Sequence, residues 1–131
     1  MGLASFLLGI HTAEQASRDP LRGALYENLI VAGVLKRFCN VGRRPDMFFY
    51  RYTHGNEVDL LIRQGRRWLP IEIKSANTFT PDFLTGMRRF KEAVGAEVVN
   101  EGIVLFNGAQ THTVQCVKVV NPLHDDGWLA L

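Results

Sequence analysis

The first long pattern of apolar positions has the period of an α-helix and follows a helix-start signal. Asp19-Pro20 is typical of a helix N-terminus, because proline fits the first turn and an acidic group is favourable there. The pattern that follows predicts a helix over residues 21–38 with one stripe facing the core. The apolar members of this stripe are Ala24, Ile30, Val31, Val34 and Phe38.

Three segments then predict β-strands joined as a meander. They are rich in aromatic and β-branched residues and span residues 47–52 (MFFYRY), 57–63 (EVDLLIR) and 68–75 (WLPIEIKS). Gly65 lies between the second and third segments, at a position that suits a two-residue type II′ hairpin turn. If Gly65 and Arg66 form that turn, Asp59 faces Glu72 across the hairpin.

The last part of the chain predicts a helix and two further strands. Pro81 begins a helix that ends at Gly95, residues 102–107 (GIVLFN) form a wholly apolar strand, and residues 112–120 form a single alternating strand. An apolar strand after a helix is typical of a parallel pair joined by a right-handed crossover. The predicted fold class is therefore α/β, with a mixed sheet of four to five strands.

Charged positions on the second and third strands predict a metal site. Facing Cβ atoms in a hairpin lie about 4.5–5.5 Å apart, so Asp59 and Glu72 repel each other unless something offsets their charge. A hard dication such as Mg²⁺ or Mn²⁺ does so with oxygen ligands. Lys74 points to the same face as Glu72 and could orient water or stabilise charge on a phosphate during hydrolysis. The open alternative is a surface charge ladder in which Asp59 pairs with Lys74 and Glu72 is solvated.

Glu27 is an unexpected carboxylate within the apolar stripe of the first helix. Burying a carboxylate is costly unless a partner offsets its charge. Glu27 either supplies another metal-binding or catalytic group beside Asp59 and Glu72, directly or through water, or reaches solvent from the edge of the helix.

Other side chains are candidates for contact with a substrate. They are Arg51, Ser75 just after Lys74, and His54 in the turn before the second strand. Arginine side chains bind phosphate backbones, although ordinary solvated loop positions are the alternative. The aromatic residues of 47–52 are interpreted as core residues rather than as a platform that stacks nucleobases.

Composition limits the class of protein. The chain has 131 residues, a net charge of +2, and two cysteines without metal-ligand spacing. These values predict one domain in a reducing compartment, with neither a zinc site nor a disulfide framework. Residues 2–10 are apolar but shorter than the roughly 20 residues that span a bilayer, so we expect a cytoplasmic protein with no membrane partner. Residues 1–20 are interpreted as the remnant of an upstream region or a docking element, ahead of a domain over residues 21–131.

Asp59 on the second strand, followed by Glu72-Ile73-Lys74 on the third, forms an ordered set of charged residues. This order resembles the signature of the PD-(D/E)XK nuclease superfamily, which has the restriction-endonuclease-like fold. Glu27 is similar to the helix-borne acid of many members. The resemblance implies a Mg²⁺- or Mn²⁺-dependent site with Asp59, Glu72 and Glu27 as metal ligands and with Lys74 completing the catalytic set.

Short matching stretches over nearly the whole chain carry a closer resemblance. They span residues 2–4, 7–9, 21–28, 50–51, 55–59, 70–75 and 86–90. Together they are similar to the C-terminal domain of a large family of prokaryotic P-loop ATPases of the AAA type, a domain of unknown function assigned to the same superfamily. The resemblance implies an accompanying ATPase domain. No GxxxxGK[ST] motif occurs in this chain, so we expect a fragment or a free-standing remnant that does not itself bind ATP.

Three functions stay open at this point, and with them the question of whether the chain is an enzyme. The first is a Mg²⁺-dependent endonuclease that hydrolyses phosphodiester bonds of DNA. The second is a catalytically inactive nuclease-like module that binds or regulates an ATPase. The third is an interaction domain, for example a homodimer, in which the apolar N-terminal segment docks another chain.

Overall fold

A computed structural model describes residues 2–53 and 55–131, which form a six-stranded mixed sheet with a helix against each face. The helices in these residues are α1 (Gly2–Leu7), α2 (Ala13–Arg18), α3 (Arg22–Asn40) and α4 (Thr85–Val94). The strands are β1 (Met47–Tyr52), β2 (Asn56–Gln64), β3 (Arg67–Lys74), β4 (Ile103–Phe106), β5 (His112–Val114) and β6 (Val117–Val120).

The strand order across the sheet is β1-β2-β3-β4-β6-β5. The first three strands form an antiparallel meander, and β4 lies parallel to β3 after the connection through α4. The sheet continues with β6 parallel to β4 and β5 antiparallel to β6. The predicted α/β class, the meander and the parallel strand after the second long helix are thus confirmed.

The prediction of a single strand over residues 112–120 is wrong, and the sheet has six strands rather than four to five. Gln115 and Cys116 both have positive φ, at 48° and 68°, and turn the chain back on itself between β5 and β6. Positive φ at both central residues is the geometry of a type I′ hairpin turn. Residues other than glycine rarely adopt it, so the composition of this segment concealed the turn.

The core has two parts because successive side chains of each strand point to opposite faces of the sheet. On one face, α3 buries Ile30, Val34 and Phe38 against the sheet, as its stripe predicted. The C-terminal tail joins this layer through Trp128 and Leu129. On the other face, α4 buries Met87 and Phe90. The strand residues facing α3 include Leu60, Ile62, Leu69, Ile71, Ile73 and Leu105, and those facing α4 include Val58, Leu61, Val104, Phe106 and Val119.

The N-terminal segment contributes little to the core. The two short helices α1 and α2 bury no residue, and Leu3, Phe6 and Leu7 of α1 are largely exposed. Ile10, between the two helices, is buried. None of the helices in residues 2–53 and 55–131 combines the length and the apolar composition that a membrane span requires.

Candidate active site

The β2–β3 hairpin holds the candidate residues at its open end. Gly65 has a φ of 64°, as a type II′ turn requires at its first central position, and the ladder runs in the predicted register from Gln64–Arg67 to Leu60–Ile71. The pairing with β1 shifts between Phe48–Leu61 and Tyr50–Val58, so β2 has one extra residue there, a β-bulge. The bulge falls at Asp59 and Leu60, beside the end of the ladder.

At the bulge, the Asp59 side chain takes the place of a backbone hydrogen-bond acceptor. The N–H of Ile73 donates a hydrogen bond to Asp59 Oδ2 at 2.8 Å. In a regular ladder this N–H would bond to a carbonyl of the neighbouring strand. The carboxylate of Asp59 is therefore fixed between the two strands where they separate.

Asp59, Glu72 and Lys74 meet at this point, as the sequence predicts. Lys74 Nζ lies 3.2 Å from Glu72 Oε2 and 3.9 Å from Asp59 Oδ2. Only 4 % of the Glu72 side chain is exposed, against 11 % for Asp59 and 37 % for Lys74. A solvated Glu72, which the charge-ladder alternative requires, is excluded by this burial.

Burial and neighbouring charges perturb the protonation of the group. Burial, followed by the charge of Asp59, raises the pKa of Glu72 to about 8, although Lys74 acts in the opposite direction. A hydrogen bond with Asp59 also favours the protonated carboxyl group of Glu72. Burial disfavours the charge of Lys74, but Glu72 and Asp59 outweigh it and raise the Lys74 pKa. Burial and Asp59 therefore favour the protonated form of Glu72, whereas the two acids favour the charged form of Lys74.

Gly86, near the start of α4, brings that helix against the buried acid. A Cβ atom at residue 86 would lie 2.6 Å from Glu72 Oε1 and would also collide with the backbone carbonyl of Glu57. Any larger residue would push α4 away from β2 and β3. Sequence reasoning assigned no role to this glycine, and its available signal was a glycine inside a strongly amphipathic helix.

Glu27 lies near Asp59 but apart from Glu72. It lines a pocket of about 90 Å³ with Arg51, Glu57 and Asp59, whereas Glu72 and Lys74 line another of about 170 Å³. Burial first, then the charges of Asp59 and Glu57, raise the pKa of Glu27. Across the described residues, no three His, Cys, Asp or Glu side chains are gathered into a set that could hold a metal ion.

The three residues that the sequence suggests for substrate binding, Arg51, Ser75 and His54, do not form one cluster in the described part of the chain. Arg51 is exposed and forms an ion pair with Glu57 at 3.2 Å, at the rim of the smaller pocket. Ser75 follows β3, and its carbonyl oxygen accepts a hydrogen bond from Arg22 at 2.6 Å, which ties the start of α3 to the end of β3. His54 lies outside the described residues.

Two features of the surroundings were not anticipated. Phe48, Phe49 and Tyr52 of β1 are exposed, so their interpretation as core residues is wrong; β1 is an edge strand and its outer part has no layer above it. Arg89 of α4 lines the larger pocket together with Glu72 and Lys74, and it donates a hydrogen bond to Asn56 Oδ1.

The donor chemistry of the site fits a hard divalent cation. Mg²⁺ is commonly held by one or two carboxylates, with water and other oxygens completing its shell. Asp59 and Glu72 supply two carboxylate groups within reach of one ammonium group. Glu27 lines the neighbouring pocket together with Asp59, so its carboxylate lies on the Asp59 side of this pair.

Comparison with known proteins gives one family. No curated protein matches the chain significantly. The family described as a domain of unknown function (DUF4143) matches residues 22–125, from the start of α3 to beyond β6. This range includes Glu27, Asp59, Glu72 and Lys74. The chain therefore belongs to the DUF4143 family.

Proposed function

We propose that this domain is a divalent-metal-dependent nuclease, similar to the PD-(D/E)XK superfamily, that hydrolyses phosphodiester bonds of DNA. The observation that carries the proposal is the meeting of Asp59, Glu72 and Lys74 where β2 and β3 separate. Two carboxyl groups and one ammonium group, mostly removed from water, form an expensive arrangement for a surface that serves structure alone.

The two acids have the electrostatic properties expected of ligands for a cation. Like-charged carboxylates in a low-dielectric site favour protonation of one of them, and a raised pKa of the more buried acid is the expected sign. To bind Mg²⁺ or Mn²⁺, Glu72 must release its proton, and Asp59 and Glu72 would then hold the ion. When bound, such an ion polarises the phosphate and lowers the pKa of a coordinated water.

The other residues have distinct roles in this proposal. Lys74, whose side chain is partly exposed, donates to a phosphate oxygen or orients the attacking water. The hydrogen bond from the Ile73 N–H to Asp59 Oδ2 fixes the orientation of that carboxylate. Glu27 contributes negative charge beside Asp59 and orders water there. Arg51 and Ser75 stay predictions as substrate-binding residues, and so does His54.

The test is cleavage of supercoiled and single-stranded DNA in Mg²⁺ or Mn²⁺ by the wild-type chain beside Asp59→Asn. Asparagine keeps the size of the side chain and its ability to accept the Ile73 hydrogen bond, but it removes the charge. We expect cleavage by the wild type, at least about 100-fold slower cleavage by Asp59→Asn, and unchanged circular dichroism. Equal cleavage by the two proteins would contradict the proposal and would point to a contaminating nuclease.

A second candidate function is supported by a different observation. The described residues hold no three-carboxylate metal set, and Lys74 already balances part of the acidic charge. These features suit a nuclease-like module that no longer cleaves and instead binds or regulates an attached ATPase. DNA binding without cleavage under either metal, with the same affinity in Asp59→Asn, would favour this candidate.

A further inference from the structure

An open groove runs between β1 and α4 and leads to the candidate active site. Its volume is about 780 Å³, within the range of ligand-binding clefts, and Tyr50, Tyr52, Asn56 and Arg89 are among its lining residues. Asn56 and Arg89 also line the pocket that contains Glu72 and Lys74. The groove and that pocket are therefore parts of one continuous surface.

The two tyrosines that line the groove differ in exposure. Tyr52 at the end of β1 has 64 % of its surface exposed, whereas Tyr50 packs edge-on against Phe90 of α4 with ring centroids 4.9 Å apart. Tyr50 is thus held by the core and Tyr52 projects beyond it. An exposed ring on a rigid strand is a suitable surface for stacking a planar group, because little conformational entropy is lost on binding.

The charge of the groove changes along its length, from Arg89 near the candidate active site to Glu92 further along α4. Arg89 donates to the Asn56 side chain and forms no ion pair with a carboxylate of the described residues. Glu92, one helical turn further along α4, lines the far end of the groove beside Val94. An anionic group is therefore favoured at the Arg89 end, next to Lys74, and disfavoured at the Glu92 end.

We propose that this groove binds single-stranded nucleic acid, with a base stacked on Tyr52 and the adjoining phosphate held by Arg89 beside the Glu72–Lys74 pocket. The inference rests on the proposed nuclease function and adds the substrate class. Stacking on aromatic side chains combined with a cationic groove is the usual basis of single-strand binding. Bases in a duplex are already stacked on each other, so their faces are not available to Tyr52.

The experiment measures binding without cleavage. A fluorescent oligothymidylate of about 12 nucleotides, within the usual site size for single-strand binding, is titrated with protein in EDTA and followed by anisotropy. We expect Tyr52→Leu to weaken binding about tenfold, which corresponds to about 1.4 kcal/mol, and Tyr52→Phe to bind like the wild type because it keeps the ring. The same sequence as a duplex should bind the wild type more weakly and should not distinguish Tyr52→Leu.

Arg89→Gln tests the phosphate contact, with Arg66→Gln as a charge-matched control. Arg66 is an exposed residue in the hairpin turn at the opposite end of β2 and β3. Arg89→Gln should lower the slope of log affinity against log salt concentration by about 0.7, whereas Arg66→Gln should leave it unchanged. Glu92→Gln should tighten binding about twofold, because it removes a repulsive charge from the groove.

The outcomes separate this inference from the proposed nuclease function. Equal affinity of Tyr52→Leu and wild type for the oligonucleotide overturns the single-strand groove, even if the protein cleaves DNA. Dependence of binding on Tyr52 and Arg89 supports the groove, even if no cleavage is found. If Tyr52→Leu changes only self-association of the protein, the groove is instead a protein interface and the inference is wrong.

Discussion

The two ends of the β2–β3 hairpin differ in the regularity of their backbone pairing and in the burial of their polar side chains. At the turn end, the register is regular, Gly65 has the backbone angle that its turn requires, and the polar side chains are exposed. At the open end, a bulge interrupts β2, a side chain replaces a backbone hydrogen-bond partner, and Glu72 is buried next to another acid. Because departures of this kind are concentrated where proteins perform chemistry, the contrast favours the open end as the place of the proposed function.

The largest expected effect comes from removing the ammonium group of Lys74 at the open end of the hairpin. Lys74→Ala should fold normally and keep its affinity for Mg²⁺, but it should lose cleavage by about 100-fold or more, since a donor to the reacting phosphate is worth about 2.7–4 kcal/mol in the transition state. Cleavage rates under single-turnover conditions and Mg²⁺ titrations measure the two properties. The exposed Arg66 at the turn end is the control, and Arg66→Gln should cleave like the wild type. Unchanged cleavage in Lys74→Ala would disprove the role assigned to this lysine.

The next effect is on stability and follows from the raised pKa of Glu72. Its pKa is about 8 in the folded protein and near 4.5 when unfolded, so between these values the folded state binds a proton that the unfolded state has lost. The stabilising contribution is complete below pH of about 4.5 and is lost as the pH rises to about 8, by a few kcal/mol at about 1.4 kcal/mol per pKa unit. Urea unfolding in EDTA between these limits should show a decline that is much smaller in Glu72→Gln, in which the raised pKa of Glu27 still contributes.

The same decline should persist after substitution at the turn end, where Arg66→Gln should retain the pH dependence of the wild type. Added Mg²⁺ should reduce the decline in the wild type, because binding to ionised Glu72 stabilises the folded state. A wild-type stability that is constant over this pH range would show that Glu72 is ionised, and the description of its protonation would be wrong.

The smallest effects are expected from replacing a glycine by alanine at each end of the hairpin: Gly86, which packs against the open end, and Gly65 in the turn. Gly86→Ala should cost about 1–3 kcal/mol of unfolding free energy, since its Cβ would press on Glu72 and the Glu57 carbonyl, and should also impair cleavage. Gly65→Ala should cost about 1 kcal/mol through its positive φ and leave cleavage unchanged. Thermal unfolding and cleavage assays on both variants test the difference.

Gly33 in α3 is the matched control for Gly86. A Cβ at Gly33 meets no atom within 4 Å, so Gly33→Ala should stabilise the helix by about 0.5–1 kcal/mol. If Gly86→Ala is stabilising in the same way, α4 can move away from Glu72 at no cost, and the close approach has no role in the site.

The site was partly predictable from local patterns. Gly65 and its two neighbouring strands define a register, and the register places Asp59, Glu72 and Lys74 on adjacent strands before any tertiary contact is known. Glu27 was predictable as an odd carboxylate on an apolar stripe, but its distance from Glu72 was not, because it depends on how α3 lies on the sheet. The roles of Gly86 and Arg89 depend on the position of α4, which no local pattern specifies.

Periodicity and turn chemistry, both local properties of the sequence, determined α3, α4, the meander, the hairpin register and the identity of the charged set. The tertiary structure decided which of these groups lost contact with water. It also decided that β2 bulges at Asp59, that Gln115 and Cys116 form a turn, and that Phe48, Phe49 and Tyr52 of β1 are exposed. The physical reason is that burial, and the pKa shifts and unpaired surfaces that follow from it, depend on contacts between segments far apart in the chain.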